Sequence, residues 1–253
     1  MDKDQEAIQW VRDQFKQEVE TNPDLYDPID VKRIQESDFY VQRFINFLNQ
    51  GPEKGFDQLK ESFQWRKSFK LNDFDPLDYN KEWYEAGAIF PFLPDSDGVQ
   101  VIHLRPKLCA KFKKENSDKF EKYSLQVVHQ VDSIVHQEFG WGLVMNCSDI
   151  SVKDVDLDFL FHILPKLRKY FPNGCKYCII YGLHWSVNYI CKVALAAMPA
   201  DSAKKIRFLG KESELIQIIP QSRLPDYLNG TAKINYHTFP DSKYVHDLAH
   251  YSD

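Results

Sequence analysis

The chain predicts an α/β fold: a helical N-terminal lobe followed by a mostly parallel β-sheet. Three observations carry this. Over the first 70 residues, apolar side chains recur three or four positions apart, the helical spacing. After Pro76, short apolar runs alternate with stretches of helical period, in the order strand, helix, strand, helix, strand, helix, strand. That order requires crossover connections between parallel strands. Finally, residues 177–200 contain a single charge, Lys192, and read as a buried strand, a turn and a very apolar helix.

The elements follow in chain order. Ile8, Val11, Phe15 and Val19 define an amphipathic helix over residues 4–20. Asp30 is a candidate N-cap for a short helix holding Val31 and Ile34. Asp38 is a candidate cap for a second, with Val41, Phe44, Ile45 and Leu48 on one face and Gly51-Pro52 as its stop. Phe56, Leu59 and Phe63 mark a third, ending near Trp65-Arg66. Two apolar runs, 86–92 and 99–104, flank Asp95-Ser96-Asp97-Gly98, which reads as a hairpin or sharp turn between strands. A long helix is expected over 118–139 and a short strand over 143–147. A helix over 156–170 should be kinked or split by Pro165. The remaining elements are a strand at 177–181, the apolar helix at 185–198, a strand at 206–209 and a short helix at 212–218. Residues 1–80 then form the helical lobe and 81–232 the α/β domain. Residues 233–253 form a polar, aromatic tail that packs on the surface or frays.

Composition narrows the function. The 253 residues are 43% hydrophobic and rich in aromatics (18 Phe, 13 Tyr, 5 Trp), enough for a large core or pocket. Lys and Arg total 32 against 37 Asp and Glu, a net charge of −5 that does not favour a nucleic-acid partner. The charged N-terminus has no apolar run, so no secretory signal is expected. Gly182, His184, Ser186, Asn188 and Lys192 would be costly inside a membrane span, so residues 177–200 are not read as one. Five cysteines, an odd number, suggest free thiols. Cys175-x-x-Cys178 has no second ligand pair at zinc spacing, and His129 and His136 are two helical turns apart, so both pairs read as structural. No GxSxG, glycine-rich phosphate loop or HExxH occurs, and nothing pairs a nucleophile with a base. The expectation is a non-enzymatic protein of the cytoplasm, without cofactor or metal.

Several short motifs then fall in a recognisable order. Arg43-Phe44 is followed about twenty residues later by Trp65-Arg66. Asp97-Gly98-Val99 leads into a strand. Tyr170-Phe171-Pro172, Lys205-Ile206 and the run Leu224-Pro225-Asp226-Tyr227-Leu228-Asn229-Gly230-Thr231 come after. Together, over about residues 35–232, they resemble the CRAL-TRIO (Sec14-like) lipid-binding family. The resemblance implies a sheet that floors a hydrophobic pocket and a mobile gate helix that closes it. The gate maps to 185–198, with Trp185, Tyr189, Ile190, Val193, Ala194 and Ala197 facing a ligand or a membrane. Ile102, Leu104, Val144 and Ile180 would line the floor, and Lys205 and Arg207 the polar mouth. Ser151 falls where some members hold a hydroxyl against a choline phospholipid. An empty cavity of that size is costly, and each buried CH2 of an acyl chain would recover about 0.8 kcal/mol.

The implied function is to bind a phospholipid or other small lipid and exchange it between membranes, with transient membrane contact. The alternative is a membrane- or partner-recruitment module that keeps the fold without transfer, docking through helix 4–20 or the gate with Trp10 and Trp185 as anchors. The departures are specific. Phosphoinositide-binding members carry Glu after the Tyr-Tyr-Pro proline and pair it with the Lys of Lys-Ile. Lys205 is present here, but the Glu position is Asn173, so half of that polar pair is missing. Asn229 replaces the first Gly of a Gly-Gly pair, Asn146 an Asp, and Tyr181-Gly182-Leu183 an Asn-Ala-Pro.

Overall fold

Apolar spacing draws the N-terminal helices together as expected. The computed structural model describes residues 3–134, 140–151, 162–196 and 198–251, and the chain divides into two units, Met1–Phe74 with Leu164–Gly174, and Asp75–Ile163 with Cys175–Asp253. The first unit holds α1 (Lys3–Thr21), α2 (Pro28–Glu36), α3 (Asp38–Ile45) and α4 (Pro52–Phe69), together with a later helix, Leu164–Tyr170. Ile8, Val11 and Phe15 of α1 pack with Ile34, Val41, Phe44, Leu59 and Phe63 in one sealed core.

The helix starts differ from the sequence reading. Asp27, not Asp30, caps α2, its carboxylate accepting the Ile29 N–H at 2.9 Å. Pro28 at the first helical position holds the preceding residue extended, which is the conformation a cap needs. Asp30 is fully buried instead and accepts hydrogen bonds from Arg33 (2.8 Å) and Asn72 (3.0 Å). Ser37, not Asp38, caps α3. Residues 162–163 are π-helical and the α-helix runs from Leu164, so the helix changes type next to Pro165, in keeping with a proline that splits it; residues 156–161 lie outside the described residues.

The second unit is built on a five-stranded sheet: β1 (Ile89–Phe92), β2 (Gln100–Leu104), β3 (Trp141–Asn146), β4 (Cys175–Tyr181) and β5 (Ile206–Leu209), in spatial order 1-2-3-4-5. Only β1–β2 is antiparallel. The expected turn joins that pair. Asp95 is buried and accepts the N–H groups of Asp97 and Val99, and Gly98 takes φ +82°, a conformation that suits glycine. The helices are α5 (Lys81–Glu85), α6 (Pro106–Glu115), α7 (Ser117–Ile134), α8 (the Leu164–Tyr170 helix of the first unit), α9 (Trp185–Ala196), α10 (Ala200–Ala203) and α11 (Glu212–Leu215). The end of the helix expected to reach Phe139, and most of the segment before α8, lie outside the described residues.

Of the two alternatives for the tail, packing holds over residues 233–251. Tyr236 is buried and stacks on Phe90 at 4.2 Å. A final helix, α12 (Ser242–Ala249), is capped by Asp241 and buries Val245 and Leu248. Aromatic residues spaced along a polar segment gave no clear period, so the helix was not visible from sequence. Among the described residues, no helix is long and apolar enough to cross a membrane.

Candidate ligand-binding face of the sheet

Side chains alternate faces along a strand, so strand register decides which residues share a surface. Ile102 is opposite Leu143, Leu143 opposite Cys178, and Cys178 opposite Ile206. Two residues on, Leu104, Met145, Ile180 and Phe208 align in the same way. One face of the sheet thus carries two complete apolar rows across four strands. The second row lies toward the carboxyl ends of the parallel strands, the side where open α/β sheets place ligands. It is also the less sealed: Leu104 and Met145 keep 7% and 8% exposure, against 0% and 1% for Ile102 and Leu143.

Connections between the parallel strands step one strand at a time in one direction, so right-handed crossovers all fall on one face. Two of them are seen on the face with the apolar rows. Trp141 shares the parity of Leu143, and its indole N–H donates to Asp132 of α7 at 3.0 Å. Lys192 of α9 lies 5.8 Å from the centroid of the Phe208 ring. Burial pushes the Cys147 thiol, just beyond β3, up to about 12, and the Cys191 thiol of α9 adds to the rise. The helix singled out by its apolarity therefore lies by the carboxyl-end row.

The expected site residues divide between the two faces. Ile102, Leu104 and Ile180 are on the apolar face. Val144 is not: it packs with Val101, Ile179, Leu215 and Ile219 on the opposite face, beneath the segment after β5. The floor positions on β3 are Leu143 and Met145, and sequence reasoning missed them because β3 alone does not reveal its register. Arg207 pairs with Ile179 and so also lies on the opposite face, its guanidinium 5.6 Å from the Tyr177 ring. Lys205 is partly buried and donates to the Cys175 carbonyl at 2.8 Å. Desolvation lowers its pKa.

On α9, Tyr189 and Val193 are 72% and 57% exposed, whereas Cys191 between them is buried. Two residues correspond to 200° of helical turn, so the side of α9 opposite Cys191 points outward. These two positions face solvent and not the sheet. The side chains of Trp185, Ile190 and Ala194, and the whole of Ala197, lie outside the described residues. Ser151 is exposed in the loop after β3.

The thiols offer no chemistry. An irregularity at the start of β4 sets Cys175 opposite Trp141 and Cys178 opposite Leu143, and burial raises both pKa values, Cys175 to about 12 and Cys178 well above its usual range. Such thiols stay protonated and unreactive. No group of three or more metal-ligating side chains occurs among the described residues.

The motif residues have a separate role within the helical unit. Arg43 donates to the Pro172 carbonyl at 2.6 Å, and Arg66, fully buried, donates to the Tyr170 carbonyl at 2.9 Å. Trp65 lies flat on Tyr170, with ring centroids 3.9 Å apart. Asn173 sits at φ +57° and donates to the Arg43 carbonyl at 3.1 Å. Asparagine here makes a left-handed turn and holds it, which accounts for its presence where glutamate was expected.

A model of the CRAL/TRIO domain matches residues 84–230, more than half of the chain. The chain belongs to the CRAL/TRIO domain family. It is thus a domain of the lipid-binding type. The crystal structure of Sfh5 shares the fold, with a TM-score of 0.65 over 86% of this chain and 85% of that one. Sequence identity to Sfh5 is 15%, so the likeness is one of architecture.

Proposed function

We propose that this CRAL/TRIO domain carries one lipid, a phospholipid or another small lipid, against the Leu104–Met145–Ile180–Phe208 row and exchanges it at membrane surfaces. The row is the observation that carries the reading: four apolar side chains from four strands, at the carboxyl ends of parallel strands, beside a helix whose outer side is also apolar. Tyr189 and Val193 supply the membrane contact. An exposed aromatic and an aliphatic side chain one turn apart are costly in water and favourable in an interface. The domain acts without catalysis, without a nucleic-acid partner, and on the cytoplasmic side of the membranes it visits. The run Glu61-Ser62-Phe63-Gln64-Trp65-Arg66-Lys67 resembles the CRAL-TRIO domain of motile sperm domain-containing protein 2, and we read the chain as kin to it.

Native mass spectra before and after incubation with mixed liposomes test the reading. A discrete mass increment of one lipid class is expected, and Met145→Trp should abolish it while the fold persists by circular dichroism. A bare protein under both conditions, with co-sedimentation on vesicles retained, would replace the carrier with a recruitment module. The outward Tyr189 and Val193 are the observation that favours this second reading.

A further inference from the structure

The face of the sheet opposite the apolar rows carries a cleft of different chemistry. The cleft, of about 520 Å³, lies between the Asp95–Val99 turn, the first residues of β4 and β5, and Gln217-Ile218. Its floor is the Tyr177 ring, held in place because the phenol O–H donates to Asp95 Oδ2 at 2.9 Å. Gly142 leaves room for that ring: a Cβ there would lie 2.3 Å from it. Arg207 rests on the same ring, and Lys176 extends from the neighbouring strand.

The polar groups of the cleft are unspent. Asp95 is the nearest carboxylate to Tyr177, but its Oδ1 accepts two backbone N–H groups and its Oδ2 accepts Tyr177. Neither Arg207 nor Lys176 has a carboxylate or carbonyl partner among the described residues, and the Asp97 and Gln217 side chains are likewise without hydrogen bonds there. One wall thus presents a planar guanidinium and an ammonium, a combination suited to a phosphate group. The other presents a carboxylate and an amide, which accept from hydroxyls. A bare dianion would be repelled by Asp97, so the ligand must turn hydroxyls toward it.

We infer that this cleft binds a phosphate monoester of a polyol, with the phosphate on Arg207 and Lys176 and hydroxyls on Asp97 and Gln217. The site is separated from the apolar rows by the sheet itself, and it stands or falls independently of the lipid reading. The ester can be free in solution or displayed on a lipid headgroup.

Titration calorimetry with glucose 6-phosphate and with inorganic phosphate tests the soluble source. Vesicles of phosphatidylcholine with and without phosphatidylinositol 4-phosphate test the displayed one. Saturable one-site binding is expected in at least one arm. Arg207→Gln and Lys176→Gln should each weaken it by about tenfold or more, the effect of losing a charge-assisted contact. Asp97→Asn should weaken the ester but not inorganic phosphate, which is the signature of hydroxyl recognition. Both cations are exposed, so unchanged thermal unfolding of the variants would exclude misfolding as the cause. Absence of saturable binding in both arms, or equal affinity in wild type and Arg207→Gln, overturns the assignment.

Discussion

The helical unit and the sheet unit are organised by different chemistry. In the helical unit, buried polar groups do the fastening. Arg43 and Arg66 donate to the carbonyls of Pro172 and Tyr170, Asp30 gathers Arg33 and Asn72, and Trp65 stacks on Tyr170. A buried cation tolerates few replacements, because its partners would be left unpaired in low dielectric. Such residues make recognisable motifs. On the sheet, the candidate ligand surface is two rows of interchangeable hydrophobes, and apolar swaps of similar volume cost little. The proposed ligand face is thus set by apolar rows and register, and the Arg43, Trp65 and Arg66 motif residues by the fastening of their own unit.

The strongest way to break this contrast is Arg66→Met. If the buried guanidinium is a fastener, urea unfolding should show a loss of about 3 kcal/mol. A loss near zero would mean that the arginine is retained for something other than stability.

The second test lies in the sheet. His103 is fully buried against Phe90 and within 3.1 Å of the Tyr227 hydroxyl, and desolvation lowers its pKa from 6.5 to about 3. The unfolded chain binds this proton below about pH 6.5 and the folded chain does not. The contribution to stability is therefore intact above pH 6.5 and is lost as pH falls toward 3, at about 1.4 kcal/mol per pH unit. His103→Phe should flatten that part of the stability profile. An unaltered acid slope would show that His103 titrates normally.

Membrane contact gives a smaller effect. The double variant Tyr189→Ser, Val193→Ser should reduce partitioning onto vesicles by about tenfold or more, with unfolding unchanged because both side chains are already exposed. Equal partitioning would remove α9 as the docking element.

The smallest effect sharpens the contrast most. Asn173→Glu restores the family's glutamate. It should cost roughly 1 kcal/mol, because glutamate is strained in the left-handed region and the bond to the Arg43 carbonyl is lost. A gain in phosphoinositide binding, measured on vesicles, would instead show that the position still serves a headgroup.

Much of this was legible in the residues. Helical period located α1 and α4, Asp97-Gly98 located the hairpin, and low charge density located β4 and α9, because burial and backbone geometry act on local composition. The order of elements was enough for a mostly parallel sheet. The caps of α2 and α3 were misplaced by one to three residues, since several acceptors compete near each start and only the backbone angles choose among them. Helix α12 was invisible because its burial depends on Tyr236 and Leu248 meeting Phe90 and its neighbours in β1.

What the sequence by itself determined is the class of fold, the family and the presence of an exceptionally apolar helix. These rest on local spacing and on the order of short motifs along the chain. Only the tertiary structure decided that Val144 and Arg207 leave the face shared by Ile102, Leu104 and Ile180, that Met145 and Phe208 join it, and that Tyr189 and Val193 turn outward. A strand has two faces and a helix several sides, and neither states which is buried. That choice is made by register between strands distant in sequence and by what packs against each side.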